Sequence, residues 1–159
     1  MTIIIVLLLL MLALLSILEV SFTSLNIIRI KRLADTGNKS AKVVYKLYSN
    51  YSETLTTILV INCICGILVS TLTTYYFSNL YGDKIIPLVT IILTIIILVF
   101  TEIAPKIIGR EYAEDYALKL CNLLKWMVKL LLPLTKAIGK FEKKVKNNHK
   151  VTANKDELV

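Results

Sequence analysis

With 159 residues, of which 56% are hydrophobic, and a mean hydropathy of +0.70, the chain falls outside the soluble globular range and reads as an integral membrane protein of one domain. Its formal charge of +8 is spread among the connections between apolar stretches rather than gathered on one face. That pattern excludes a nucleic-acid role and points to anionic membrane lipid as the partner of the basic residues.

Three stretches reach the roughly 20 apolar residues that a bilayer crossing needs, at about 3–28, 54–77 and 85–108. The expected fold is an all-α membrane protein with three transmembrane helices and an amphipathic juxtamembrane helix at about 112–132 on the cytoplasmic side. The first stretch lacks a basic leading segment and an A-x-A-like cleavage site, so it reads as a retained helix rather than a signal peptide. On this helix Ser16, Glu19, Thr23 and Asn26 follow a 3, 4, 3 spacing that places them on one side. Such a side must face protein or water, because lipid offers no hydrogen-bond partners.

The connection that follows carries Arg29, Lys31, Arg32, Lys39, Lys42 and Lys46 around a Thr36-Gly37-Asn38 turn signal. Val43, Val44, Leu47 and Tyr48 share a side of its second half, as in a helix lying at the headgroups with its charges toward solvent and lipid. Between the second and third stretches the only basic residue is Lys84. The positive-inside rule therefore puts the first connection and the C-terminus in the cytoplasm and the N-terminus outside, in the plasma membrane.

The second stretch holds Asn62, Gly66, Ser70 and Thr74 at intervals of four, a small and polar stripe suited to close helix packing. Asn62 is its strongest hydrogen-bonding group, equally suited to clasping a neighbouring helix and to offering a neutral oxygen to a hard cation. Cys63 and Cys65 lie two apart, so they point in different directions and read, like the third cysteine, as apolar filler. A short outer turn, 78–84, flanked by Tyr75, Tyr76 and Tyr81, fits an aromatic belt.

The third stretch, IIPLVTIILTIIILVFTEIAPKII, carries the residues the chain is organised around. Glu102 lies well inside the span, where an unpartnered carboxylate costs on the order of 3 kcal/mol by insertion scales. Pro105 has no N–H to direct at the carbonyl of Thr101, so a helix break is expected beside the acid. Thr90, Thr94 and Thr101 share one side, and the three polar sides of the three helices converge most economically on a common interior.

Depth supports such a meeting. At ~1.5 Å per residue, Asn62 and Glu102 lie roughly 12 Å from the inner boundary, and Ser16 and Glu19 roughly 15 to 18 Å. A carboxylate from Glu102, the Asn62 amide oxygen, the Ser16 hydroxyl and the freed Thr101 carbonyl make an all-oxygen set suited to Mg²⁺, Na⁺ or Ca²⁺.

After Arg110, Leu120, Leu123, Leu124, Met127, Leu130 and Leu131 alternate with Lys119, Lys125 and Lys129. Three lysines argue against a fourth crossing and for an interfacial helix ended near Pro133. Residues 1–140 thus form the transmembrane domain and 141–159 a polar cytoplasmic tail, in which the lone His149 has no second metal ligand nearby.

The segments LLSILEVSFTSLNIIRIKRLADTGNKSAKVV, LVINCICGI, TEIAPK and HKVTANKDELV, taken in order, resemble the N-terminal transmembrane domain of the cyclin M / CorC family over nearly the whole chain. The chain resembles a truncated protein or a membrane fragment, ending before any paired CBS module. The resemblance implies a homodimer that binds dehydrated Mg²⁺ and exports it, with Na⁺ as the exchanged ion. It assigns metal binding to Ser16, Asn62 and Glu102, with Pro105 and Lys106 as the break that follows. Leu12 stands where many members have a second serine, Ile17 and Leu18 replace Gly and Ser, and Thr101 replaces Gly. These departures imply a weakened or altered-ion site.

The alternative reading is a membrane anchor or regulatory scaffold in which Glu102 pairs with Lys106 four residues on. No nucleophile–base pair, phosphate loop or pocket-forming soluble domain appears, so the expectation is a protein that is not an enzyme.

Overall fold

The computed structural model describes residues 1–131, and all the statements of structure below concern these residues. Seven helices follow one another: α1 Thr2–Thr23, α2 Ile27–Asp35, α3 Lys39–Ser49, α4 Tyr51–Tyr81, α5 Ile86–Ile96, α6 Ala104–Glu111 and α7 over residues 113–131. A 3₁₀ turn, Asp83–Ile85, leads into α5, and a π-helical segment, Ile97–Ile103, joins α5 to α6 without interruption. Three continuous helical runs are long and apolar enough to cross a membrane: Thr2–Thr23, Tyr51–Tyr81 and Asp83–Glu111. This is an all-α, multi-pass membrane protein. The expected end of the juxtamembrane helix at Pro133 and the polar tail from Phe141 lie outside the described residues.

The runs leave many large apolar side chains exposed, among them Ile3, Leu7, Ile67, Ile91 and Phe100. A soluble monomer rarely shows so much contiguous apolar surface, whereas hydrocarbon solvates it. α1 is central, packing on α4, on the π segment and on α6. The Thr2 hydroxyl donates to the Tyr76 hydroxyl at 3.4 Å, so the start of α1 lies at the far end of α4.

The first helix ends earlier than its apolar run suggests. Asn26 is not a rung of α1; its side chain accepts from Arg29 N–H at 3.3 Å and caps α2. Asn38 caps α3 in the same way, accepting from Ala41 N–H at 3.1 Å. Asn serves well at such positions because its short side chain reaches the unsatisfied amides of the first turn.

The segment expected to rest on lipid instead buries its apolar side in protein. Ala41, Val44 and Leu47 of α3 join Ile30 and Ala34 of α2, Leu18 and Phe22 of α1, Ile58 of α4, and Ala117, Cys121 and Leu124 of α7 in one core. α2, α3 and α7 thus form a helical cap on one end of the spanning helices. Phe22, Tyr48 and Tyr51 pack ring against ring within it, at centroid separations of 5.2 to 5.7 Å. Arg29 and Glu114 are bridged at 3.1 Å on its rim.

The third run differs from expectation at Pro105, where the chain does not break. Ahead of the proline the backbone widens, with Ala104 N–H donating to Val99 O, five residues back. A wider turn absorbs the ring and the missing N–H that would kink a regular helix.

Candidate intramembrane cation site

Ser16 on α1 is completely buried, and its Oγ has no hydrogen-bond partner. The same holds for Asn62 Oδ1 on α4, whose residue is partly buried. Leaving a buried polar group unpaired costs about 1–3 kcal/mol, so such orphans call for a partner that completes them. Leu15 and Ile61, the residues just before these two, meet in an apolar cluster with Leu12, Cys65, Ile97 and Met127. That cluster draws α1, α4, the π segment and α7 together at the level of these residues.

Thr101 and Glu102 lie in the π segment, which packs on α1. Thr101 is buried, and its hydroxyl donates to Ile97 O at 2.8 Å, leaving the oxygen lone pairs unused. Pro105, also buried, supplies no N–H to the carbonyl of either Phe100 or Thr101. Glu102 is partly buried and makes no ion pair among the described residues. The structure therefore offers one carboxylate and several neutral oxygens on adjoining helices. No group of three or more His, Cys, Asp or Glu side chains assembles among the described residues. The donor chemistry matches a hard cation rather than a soft metal.

Lys106 does not pair with Glu102. Its Nζ lies 3.9 Å from Glu19 Oε2 on α1, with the Glu19 side chain 19% exposed. The wide turn ends at Ile103, between Glu102 and Lys106, so the four-residue neighbour rule of a regular helix does not carry across it. Glu19 is thereby paired within the protein, and Glu102 is left without an ion-pair partner among the described residues.

Other expected members of the polar interior lie elsewhere. Thr90 and Thr94 are exposed and donate to carbonyls of their own helix, Ile86 O at 2.9 Å and Thr90 O at 2.8 Å. A Cβ added to Gly66 would meet nothing within 4 Å, so this glycine permits no close packing within the chain. The buried side of α4 runs instead through Thr54, Thr57, Ile58, Cys65, Val69 and Thr73.

Close packing occurs at Gly109, which the sequence reading passed over. A Cβ there would lie 2.8 Å from Ile17 O and 3.1 Å from Ile17 Cα. The available signal was a glycine on one apolar helix and a serine, Ser21, on another, the small residues that let membrane helices approach.

Three apolar spans, with buried unpartnered oxygens on two of them, define a multi-pass membrane protein. A family model described as "Cyclin M transmembrane N-terminal domain" matches residues 3–159, and the chain belongs to that family. It is similar to a "UPF0053 protein" of Haemophilus influenzae, 33% identical over 89 residues that make up 56% of this chain and 21% of that protein. It is likewise similar to the "UPF0053 inner membrane protein YfjD" of Escherichia coli, 36% identical over 80 residues, or 50% of this chain and 19% of that one. The matched region is thus about a fifth of the length of these curated relatives.

Proposed function

We propose that the chain is the membrane domain of a Mg²⁺ transporter, working as a homodimer in the plasma membrane with its N-terminus outside and its C-terminus in the cytoplasm. Glu102 supplies the negative charge, and Asn62 Oδ1, Ser16 Oγ and the Thr101 carbonyl supply neutral oxygens. The direction is export, with Na⁺ as the exchanged ion. The observation that carries this reading is that two of the three buried side-chain oxygens without partners among the described residues, Ser16 Oγ and Asn62 Oδ1, the third being Thr73 Oγ1, belong to residues next in sequence to members of a cluster that includes Ile97 of the segment holding Glu102. A bound cation would satisfy both oxygens and neutralise the acid, offsetting three polar costs of the membrane interior. Non-α backbone at mid-membrane is a recurrent feature of ion sites, because it turns carbonyls away from the helix ladder.

Isothermal titration of Mg²⁺ into the detergent-purified chain and its Glu102→Ala variant tests the site. Binding by the wild type and none by the variant is the expected result, and equal behaviour of the two overturns the assignment. Flux into vesicles tests transport itself. Glu102-dependent Mg²⁺ movement supports it, and absence of flux despite intact dimers returns the chain to the anchor reading.

A further inference from the structure

We propose that the groove between α3 and α7 holds the phosphate of an anionic glycerophospholipid, with part of an acyl chain on its apolar floor. The groove has a volume of about 430 Å³, within the ~300–1,000 Å³ range of small-molecule clefts. Lys42 and Lys46 rise from α3 on one side and Lys125 and Lys129 from α7 on the other. Val43, Leu47 and Val128 form the floor between them.

Charge and position together select the occupant. The ion pairs among the described residues are Arg29–Glu114 and Lys106–Glu19, so none of the four groove lysines has a carboxylate partner. Four ammonium groups around an apolar strip repel one another until an anion sits among them, and a purely polar anion would leave the floor wet. An anionic lipid satisfies both, with its phosphate among the ammonium groups and its chain on the valines and leucine. Asn50, which also lines the groove, is followed directly by the spanning helix α4. The Thr54 hydroxyl in the first turn of α4 donates to Leu47 O of the floor at 2.9 Å, fixing the groove to the start of that span. Trp126, 61% exposed on α7 next to Lys125, has the amphipathic character of an interfacial anchor, and Leu130, 60% exposed next to Lys129, adds apolar surface. None of these residues belongs to the cation site, so the proposal stands apart from the transport reading.

Trp126 is the only tryptophan of the chain and neighbours Lys125, which makes it an internal probe. The full chain is reconstituted in mixed phosphatidylcholine and phosphatidylglycerol vesicles, with either one or the other lipid carrying brominated, quenching chains at equal molar fraction. The expected relative association constant favours phosphatidylglycerol by roughly fivefold or more, one lysine's worth of attraction to an anionic headgroup. Lys46→Gln/Lys129→Gln, at exposed positions that leave the core untouched, brings the ratio to about one, while Lys31→Gln/Lys39→Gln, with the same loss of charge elsewhere, retains it. Equal quenching by the two lipids in the wild type, as a groove filled by protein would give, overturns the proposal. So does a preference that survives in the groove variant or is lost equally in the control.

Discussion

The hydroxyl of Ser21 on α1 donates to the carbonyl of Gly109 on α6 at 3.0 Å, inside the protein. This contact fixes the α6 end of the third span against α1, four residues beyond Pro105. Because a Cβ at Gly109 would meet the Ile17 backbone at 2.8 Å, and backbone cannot swing aside, Gly109→Ala must push the helices apart. The expected loss is about 1–3 kcal/mol, read as a lower thermal midpoint in detergent. Ser21→Ala removes only the hydrogen bond, and its expected cost is smaller, about 1 kcal/mol.

Ser16 gives a test with two opposite signs. Its buried Oγ has no hydrogen-bond partner among the described residues, so Ser16→Ala removes a polar cost and leaves stability without Mg²⁺ unchanged or raised. The same change removes a ligand, so the thermal shift produced by Mg²⁺ shrinks. Thermal melting with and without Mg²⁺ reads both effects. A loss of apo stability with an undiminished Mg²⁺ shift would show Ser16 to be a packing residue only.

How far the sequence carried this picture depended on the kind of signal. The three spans followed from burial costs that any apolar run imposes, and the caps at Asn26 and Asn38 did not. A polar residue at the end of a periodic stretch fits a last rung of one helix as well as the cap of the next, and only backbone direction separates the two. The apolar side of α3 was legible, but whether lipid or protein covers it depended on where α7 returns, a contact between distant segments. The π segment was signalled by Pro105 alone, which is compatible with a break, a kink or a widened turn. The choice among these also decided whether Lys106 reaches Glu102 or Glu19.

The Lys106–Glu19 pair should behave as a coupled unit. Lys106→Gln leaves the mostly buried Glu19 carboxylate unpartnered, with an expected cost of about 1 kcal/mol, less than for a fully buried pair because the Lys106 side chain is 36% exposed. Adding Glu19→Gln removes the stranded charge and restores most of the loss. A double-mutant cycle on chemical or thermal unfolding measures the coupling, and additive effects would show that the two groups do not interact.

Pro105 controls the width of the turn that carries Glu102. Pro105→Ala supplies the missing N–H, allowing residues 97–103 to tighten toward a regular α-helix. The expected result is slower amide hydrogen exchange in this segment together with weaker Mg²⁺ binding, because Thr101 and Glu102 rotate relative to α1. Unchanged exchange would mean that side-chain packing on α1, rather than the proline, maintains the π geometry.

Leu12 lies one turn before Ser16 and is buried against Leu15, Cys65 and Met127. A serine at this position adds a hydroxyl on the same side of α1 as Ser16, four residues away, at the level of the proposed cation site. One further neutral oxygen worth about 1 kcal/mol corresponds to roughly fivefold tighter Mg²⁺ binding. The substitution also deletes most of a buried leucine, so apo stability falls by about 2–4 kcal/mol. Leu12→Ser is therefore expected to trade stability for affinity, whereas Leu12→Ala shows the stability loss without the gain. Calorimetric titration of the two variants side by side separates the added ligand from the cavity, and equal Mg²⁺ affinities would place position 12 outside the coordination sphere.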